Sequence, residues 1–164
     1  MALILETGEG LETADSLVTL AEVRAFAGSR GKTVSAVDAT LEASIRSAHE
    51  YLIFNEARFS GSRAKHLQAL PFPRTGATLH GVVLENTVIP QTLKNAVCQL
   101  VLESAASDLL PAADAAVVVS ETVGPISTTY AANGVAGSNP ILPRVEAWLQ
   151  PLYRNTGRMT ATRV

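Results

Sequence analysis

Ser35-Ala-Val-Asp-Ala-Thr-Leu-Glu-Ala-Ser-Ile-Arg-Ser-Ala-His-Glu-Tyr-Leu-Ile-Phe-Asn-Glu-Ala57 is the stretch from which the fold class can be read. Leu41, Ile45, Ala48 and Leu52 recur at intervals of four, three and four, which places them on one face of a helix. Tyr51, Phe54 and Phe59 widen that stripe near its end. The pattern predicts a helix from Ala36 to about Ala57, with Ser35-Ala-Val-Asp38 as its start.

Working outward, Thr19-Leu-Ala-Glu22 has the spacing at which a hydroxyl and a carboxylate reciprocally satisfy free helical amides. It opens a helix from Leu20 to about Ala27, stopped by Gly28 or Gly31. Residues 3–6 read as a short strand broken by Gly8 and Gly10. Pro90 suits the first turn of a third helix, from Gln91 to about Asp108, with Leu93, Ala96, Val97, Leu100 and Val101 on its buried side. Cys98 lies within it as a small packing residue. The Val- and Thr-rich residues 116–131, with Gly124-Pro125 in the middle, read as a strand pair. Ala131 to Asn139 reads as a mobile connector. Pro143 opens a last helix carrying Val145, Trp148, Leu149 and Leu152, and a basic tail follows. The fold expected is mainly α: a small bundle of about four helices with a short β-ribbon, an extended loop and a C-terminal arm. The division expected is a helical domain over 1–139 and an arm over 140–164.

Residues 58–88 show no sustained period and contain Gly61, Pro71, Pro73, Gly76 and Gly81, which points to a long loop that is either functional or disordered. It is the most basic part of the chain. Arg58, Arg63, Lys65 and Arg74 interleave there with Phe59, His66 and Phe72, a mixture that suits single-stranded nucleic acid held by phosphate pairing and base stacking. Equally, the two phenylalanines can anchor the loop to the core while the cations face water or acids, and this reading is preferred.

Composition narrows the function. Of 164 residues 47% are hydrophobic, 17% charged and 5% aromatic, so the core is built from aliphatic side chains and the chain is no solvated coil. The single cysteine excludes an internal disulfide or a cysteine-rich zinc site. No apolar run approaches the roughly 18 residues that cross a bilayer. The N-terminus carries no secretory signature, so a cytosolic site of synthesis is expected. No paired histidines, phosphate loop or nucleophile elbow occurs, and neither catalysis nor a cofactor is expected. The net charge of −2 hides blocks of −5, +4, −4 and +3 over residues 1–56, 57–94, 95–139 and 140–164. Such blocks either neutralise one another within one fold or join successive copies into a ring or filament. The stripe Val145, Trp148, Leu149 and Leu152, followed by Arg154, Arg158 and Arg163, suits either a core helix or a helix laid in a partner's groove.

Several strings together resemble one family. They are Ala14-Asp-Ser-Leu-Val-Thr-Leu-Ala-Glu22, Gly61-Ser-Arg63 with Gln68-Ala-Leu70 and Pro71-Phe-Pro-Arg-Thr-Gly76, Ile89-Pro90 with Leu93, Lys94 and Ala96, Val123-Gly-Pro-Ile126 ending at Tyr130, and Pro140 to Leu152. In this order they resemble the head–tail connector (adaptor, or head-completion) proteins of tailed bacteriophages, many of which carry a DnaT-like single-stranded-DNA-binding label. Phe72 stands where that family usually has Trp, and Leu17 where Tyr is common. The resemblance implies a structural virion protein at the head–tail junction, made in the host cytoplasm. Copies form a ring, twelve-fold in the family, beneath the portal protein. The ring extends the DNA channel, through which DNA passes without sequence-specific contact, and presents a surface to a neck or tail-completion protein. It implies portal docking through Val145, Trp148, Leu149, Leu152, Arg154, Arg158 and Arg163, with Arg58, Arg63, Lys65 and Arg74 at subunit contacts or the channel. The alternative is a DnaT-like single-stranded-DNA-binding protein of phage replication.

Overall fold

The computed structural model describes residues 2–105, 108–110, 120–123, 126–129 and 142–154. Four helices carry the core: α1 (Leu20–Gly28), α2 (Asp38–Phe54), α3 (Gln91–Ser104) and α4 (Pro143–Leu149). α3 is central and packs against the other three. The fold is small and mainly helical, as the periodicities predicted. Leu41, Ile45, Ala48, Tyr51 and Leu52 of α2 are buried, as are Leu93, Ala96, Val97, Leu100 and Val101 of α3.

α1 begins where its cap requires. Thr19 Oγ1 accepts from Glu22 N–H at 3.2 Å, and Glu22 Oε2 accepts from Thr19 N–H at 2.6 Å. α2 is shorter than its stripe suggested. It ends at Phe54, and a 3₁₀ turn over Glu56–Arg58 redirects the chain so that Phe59 enters the core from a different element. α3 stops at Ser104 rather than about Asp108.

Two further expectations are corrected. Residues 3–6 form no strand of their own: Leu5 makes one isolated parallel bridge to Ser16. There Glu6 is buried, and its carboxylate accepts from the N–H groups of Gly8, Gly10 and Leu11 at 2.8, 2.9 and 2.7 Å. The second correction concerns residues 58–88, which are a built structure rather than an extended loop. β1 (Ser62–Arg63) pairs antiparallel with β2 (Arg74–Thr75), and β3 (Thr78–Leu79) with β4 (Val82–Val83). β5 (Ser120–Val123) and β6 (Ile126–Thr129) form the third antiparallel ribbon, where a strand pair was expected. The connector over 131–139 and the tail from Asn155 lie outside the described residues.

Val145, Leu149 and Leu152 are fully buried in the same apolar cluster as Ile45, Phe59 and Leu100. After α4 a 3₁₀ turn over Gln150–Leu152 brings the chain beside residues 58–60. Ser60 N–H donates to Leu152 O at 2.9 Å, and Arg154 N–H to Arg58 O at 2.8 Å.

A candidate site braced from within

The basic segment folds around one carboxylate. Glu56, on the 3₁₀ turn after α2, accepts from Arg63 Nε and Nη2 at 2.7 and 2.6 Å and from Arg74 Nη1 at 3.1 Å. Arg74 is only 4% exposed. Its remaining donors are taken by carbonyls: Nε by Ser60 at 2.8 Å, Nη2 by Gly61 at 2.7 Å and Nη1 also by Pro71 at 3.2 Å. One guanidinium thus holds three backbone carbonyls on two stretches of chain, a use of its fixed fork of donors that a lysine does not allow. The hydrogen bonds from Arg63, joined by those from Arg74, hold the Glu56 carboxyl below its usual range. Burial pushes the Arg74 guanidinium below its ordinary value, against the pull of Glu56.

The other motif residues serve the same brace. Arg63 Nη1 donates to Gln68 O at 2.6 Å. Gln68 is buried, donates to Leu70 O and Pro73 O at 2.8 and 3.0 Å, and accepts from Lys65 N–H at 2.8 Å. Gly61 has φ of 72° and lies so close to Thr75 O that a Cβ there would collide with it. Both the left-handed backbone and the lack of space require glycine. Phe59 and Phe72 are fully buried and meet edge to face, with ring centres 5.4 Å apart. The aromatic rings that a stacking platform would need are therefore core residues. Of the four cations singled out in this segment, Arg63 and Arg74 are bound to Glu56. Arg58 makes a two-bond pair with Glu146 of α4 at 2.7 and 2.7 Å and lies 4.1 Å over the Tyr153 ring. Lys65 is exposed and has no carboxylate partner among the described residues.

The C-terminal stripe divides. Val145, Leu149 and Leu152 are buried in the protein's own core. Trp148 is half-buried. Arg154 is exposed, with Nε donating to Phe59 O at 3.0 Å. Arg158 and Arg163 lie outside the described residues.

Sequence reading passed over two polar residues that matter to the fold. His49 is buried beside the α2 stripe: its Nε2 accepts from Leu17 N–H at 2.9 Å and its Nδ1 donates to Ile45 O at 2.7 Å. Burial lowers its pKa to about 4, so the neutral ring pins the N-terminal segment to α2. Glu6 falls at the end of the expected strand, and nothing in its spacing marks a carboxylate that its own following amides enclose. Cys98 is buried as expected, and burial pushes its thiol up to about 12. Among the described residues no group of three or more His, Cys, Asp or Glu side chains is placed to hold a metal ion.

The chain belongs to the family described as "Putative DnaT-like ssDNA binding protein", which matches it over residues 1–164. No curated protein matches it. No solved structure matches it either.

Proposed function

We propose that this protein is a structural component of a tailed-phage particle, a head–tail connector. Copies would close a ring beneath the portal protein, extend the DNA channel and offer a surface to a neck or tail-completion protein. The observation that carries this reading is the fate of the motif over Gly61–Gly76. Its arginines, glutamine and phenylalanine hold the chain's own backbone and leave no paired cation-and-ring platform for bases. A protein that spends such residues on rigidity offers shape. Large apolar side chains meanwhile remain outside: Val82 and Val83 of the β3–β4 hairpin and Phe54 at the end of α2 are all more than 60% exposed. Uncovered groups of that size suit contact with neighbours. Alternating charge blocks fit a heterologous contact between successive copies. The role is geometric and not catalytic.

The second reading is single-strand binding during phage replication, and the family's description favours it. Quantitative mass spectrometry of gradient-purified parent phage separates the two. A copy number near that of the portal protein supports the connector. Absence from particles, with abundance in infected cells, overturns it in favour of the replication role.

A further inference from the structure

Among the described residues, Arg24, Arg46, Arg58, Arg63, Arg74 and Lys94 each have a carboxylate within ion-pair distance. Arg30, Lys32 and Arg144 have none there, and they converge. Arg30 and Lys32 follow α1, Arg144 belongs to α4, and all three line one cleft of about 450 Å³ beside α3. The remaining lining is Thr33, Gln99, Leu102 and Glu103. Glu103 is the only acid among the described lining residues, and its carboxylate accepts from Gln99 Nε2 at 2.7 Å. The lining keeps a charge of +2.

Arg30 is set in place before any ligand arrives. Its guanidinium lies 3.4 Å over the Phe26 ring, and Nη1 donates to Phe26 O and Ser29 Oγ at 3.2 and 3.1 Å. Nε and Nη2 make no hydrogen bond among the described residues. A stacked, half-committed guanidinium presents its free edge at little cost in side-chain order. Leu102 is the one large apolar group among the described lining residues, which therefore supply no anchoring pocket of the kind from which protein partners draw most of their affinity. A phosphodiester backbone needs no such pocket, because it is held by charge and by donors to phosphate oxygens.

We propose that the Arg30–Lys32–Arg144 cleft is a sequence-independent contact site for the DNA phosphate backbone. Its described lining shares no residue with the basic segment at 58–74 that the sequence suggests for this role. It stands under either reading of the function, since a threaded duplex and a bound single strand present the same phosphates.

The test is a fluorescence-anisotropy titration of the full chain against a labelled mixed-sequence 30-nucleotide DNA, as single strand and as duplex. Three phosphate contacts make the affinity fall about 20- to 40-fold between 50 and 200 mM salt. The variant Arg30→Gln/Lys32→Gln/Arg144→Gln should lose that dependence. Lys32→Gln/Arg144→Gln, which leaves the Phe26 stack intact, should lose about two thirds of the log–log slope. Glu103→Gln should tighten binding, and Lys65→Gln should leave the slope unchanged. Thermal melts by circular dichroism establish that each variant is folded. The proposal is overturned by no DNA binding at 50 mM salt, or by an unchanged slope in the folded triple variant. Displacement of DNA by polyglutamate at equal charge concentration also overturns it, and assigns the cleft to an acidic protein partner.

Discussion

In the helices, burial falls on Leu, Ile, Ala and Val spaced by three and four. Between Glu56 and Thr78 it falls on Arg74, Gln68 and Ser60 as well as on Phe59 and Phe72. Apolar packing is non-directional, so a helical stripe tolerates neighbours of similar volume and loses stability by degrees. A brace of hydrogen-bonded charges is directional, and removing one partner leaves another buried and unpaired. The two regions should therefore fail differently, and substitutions chosen in each can break or sharpen that contrast.

The largest effect is expected in the helical frame. Ile45 is fully buried where α2 faces the core. Ile45→Ala should cost about 4 kcal/mol and Ile45→Val only about 1, a graded loss that tracks the methyl groups removed. Urea unfolding followed by circular dichroism reads both. If Ile45→Val costs as much as Ile45→Ala, the stripe is not the tolerant element described.

Glu56→Gln should come next, at about 3 kcal/mol, because it leaves Arg63 and the nearly enclosed Arg74 without their shared charge. Here the loss should not be graded. Glu56→Asp, which keeps the charge but shortens the reach, should fail almost as badly as Glu56→Gln. A near-wild-type Glu56→Asp melt would mean that charge alone, and not the fork geometry, holds the segment.

These two cases also mark what the sequence makes legible. Leu41, Ile45, Ala48 and Leu52 announce α2 because periodicity is a property of one element alone. The brace has no period: Glu56, Arg63, Gln68 and Arg74 meet only after the chain has turned at Gly61 and doubled back through β1 and β2. The basic segment was therefore legible as unusual, and its anchoring phenylalanines were the preferred reading. That reading turns its cations toward water or acids, while the resemblance implies subunit contacts or the channel, because a sequence does not show which acid a given cation meets. The reverse holds for Arg30, Lys32 and Arg144. Arg30 and Lys32 stand in the acidic block over 1–56 and Arg144 in the basic block over 140–164, and only folding gathers them.

A third prediction concerns the polar contact inside the helical frame. His49 is neutral when buried, so its pKa is lowered from 6.5 to about 4. The unfolded chain takes up a proton below pH 6.5 while the folded one does not. Stability is thus fully present above that value and is lost as pH falls toward the folded pKa. Of order 2 kcal/mol should go between pH 6.5 and about 5, before the carboxylates begin to titrate. Stability curves of the wild type and His49→Leu over that interval decide it. His49→Leu should be weaker at neutral pH but flat across the window, and an equal slope in both proteins would place the proton elsewhere.

The smallest effect is expected at a pair that looks, by distance alone, as good as the brace. Arg24 Nη2 lies 2.6 Å from Asp38 Oδ1, as close as Arg63 Nη2 lies to Glu56. Both side chains are largely in water, at 40% and 64% exposure. Solvent there screens the attraction and re-solvates whichever partner is left, so Asp38→Asn should change stability by about 0.5 kcal/mol or less. Raising salt to 1 M should remove that difference, while the loss in Glu56→Gln persists because ions do not reach an enclosed guanidinium as they reach an exposed one. If Asp38→Asn costs as much as Glu56→Gln, distance and not burial ranks the ion pairs of this protein, and the contrast between frame and brace loses its physical basis.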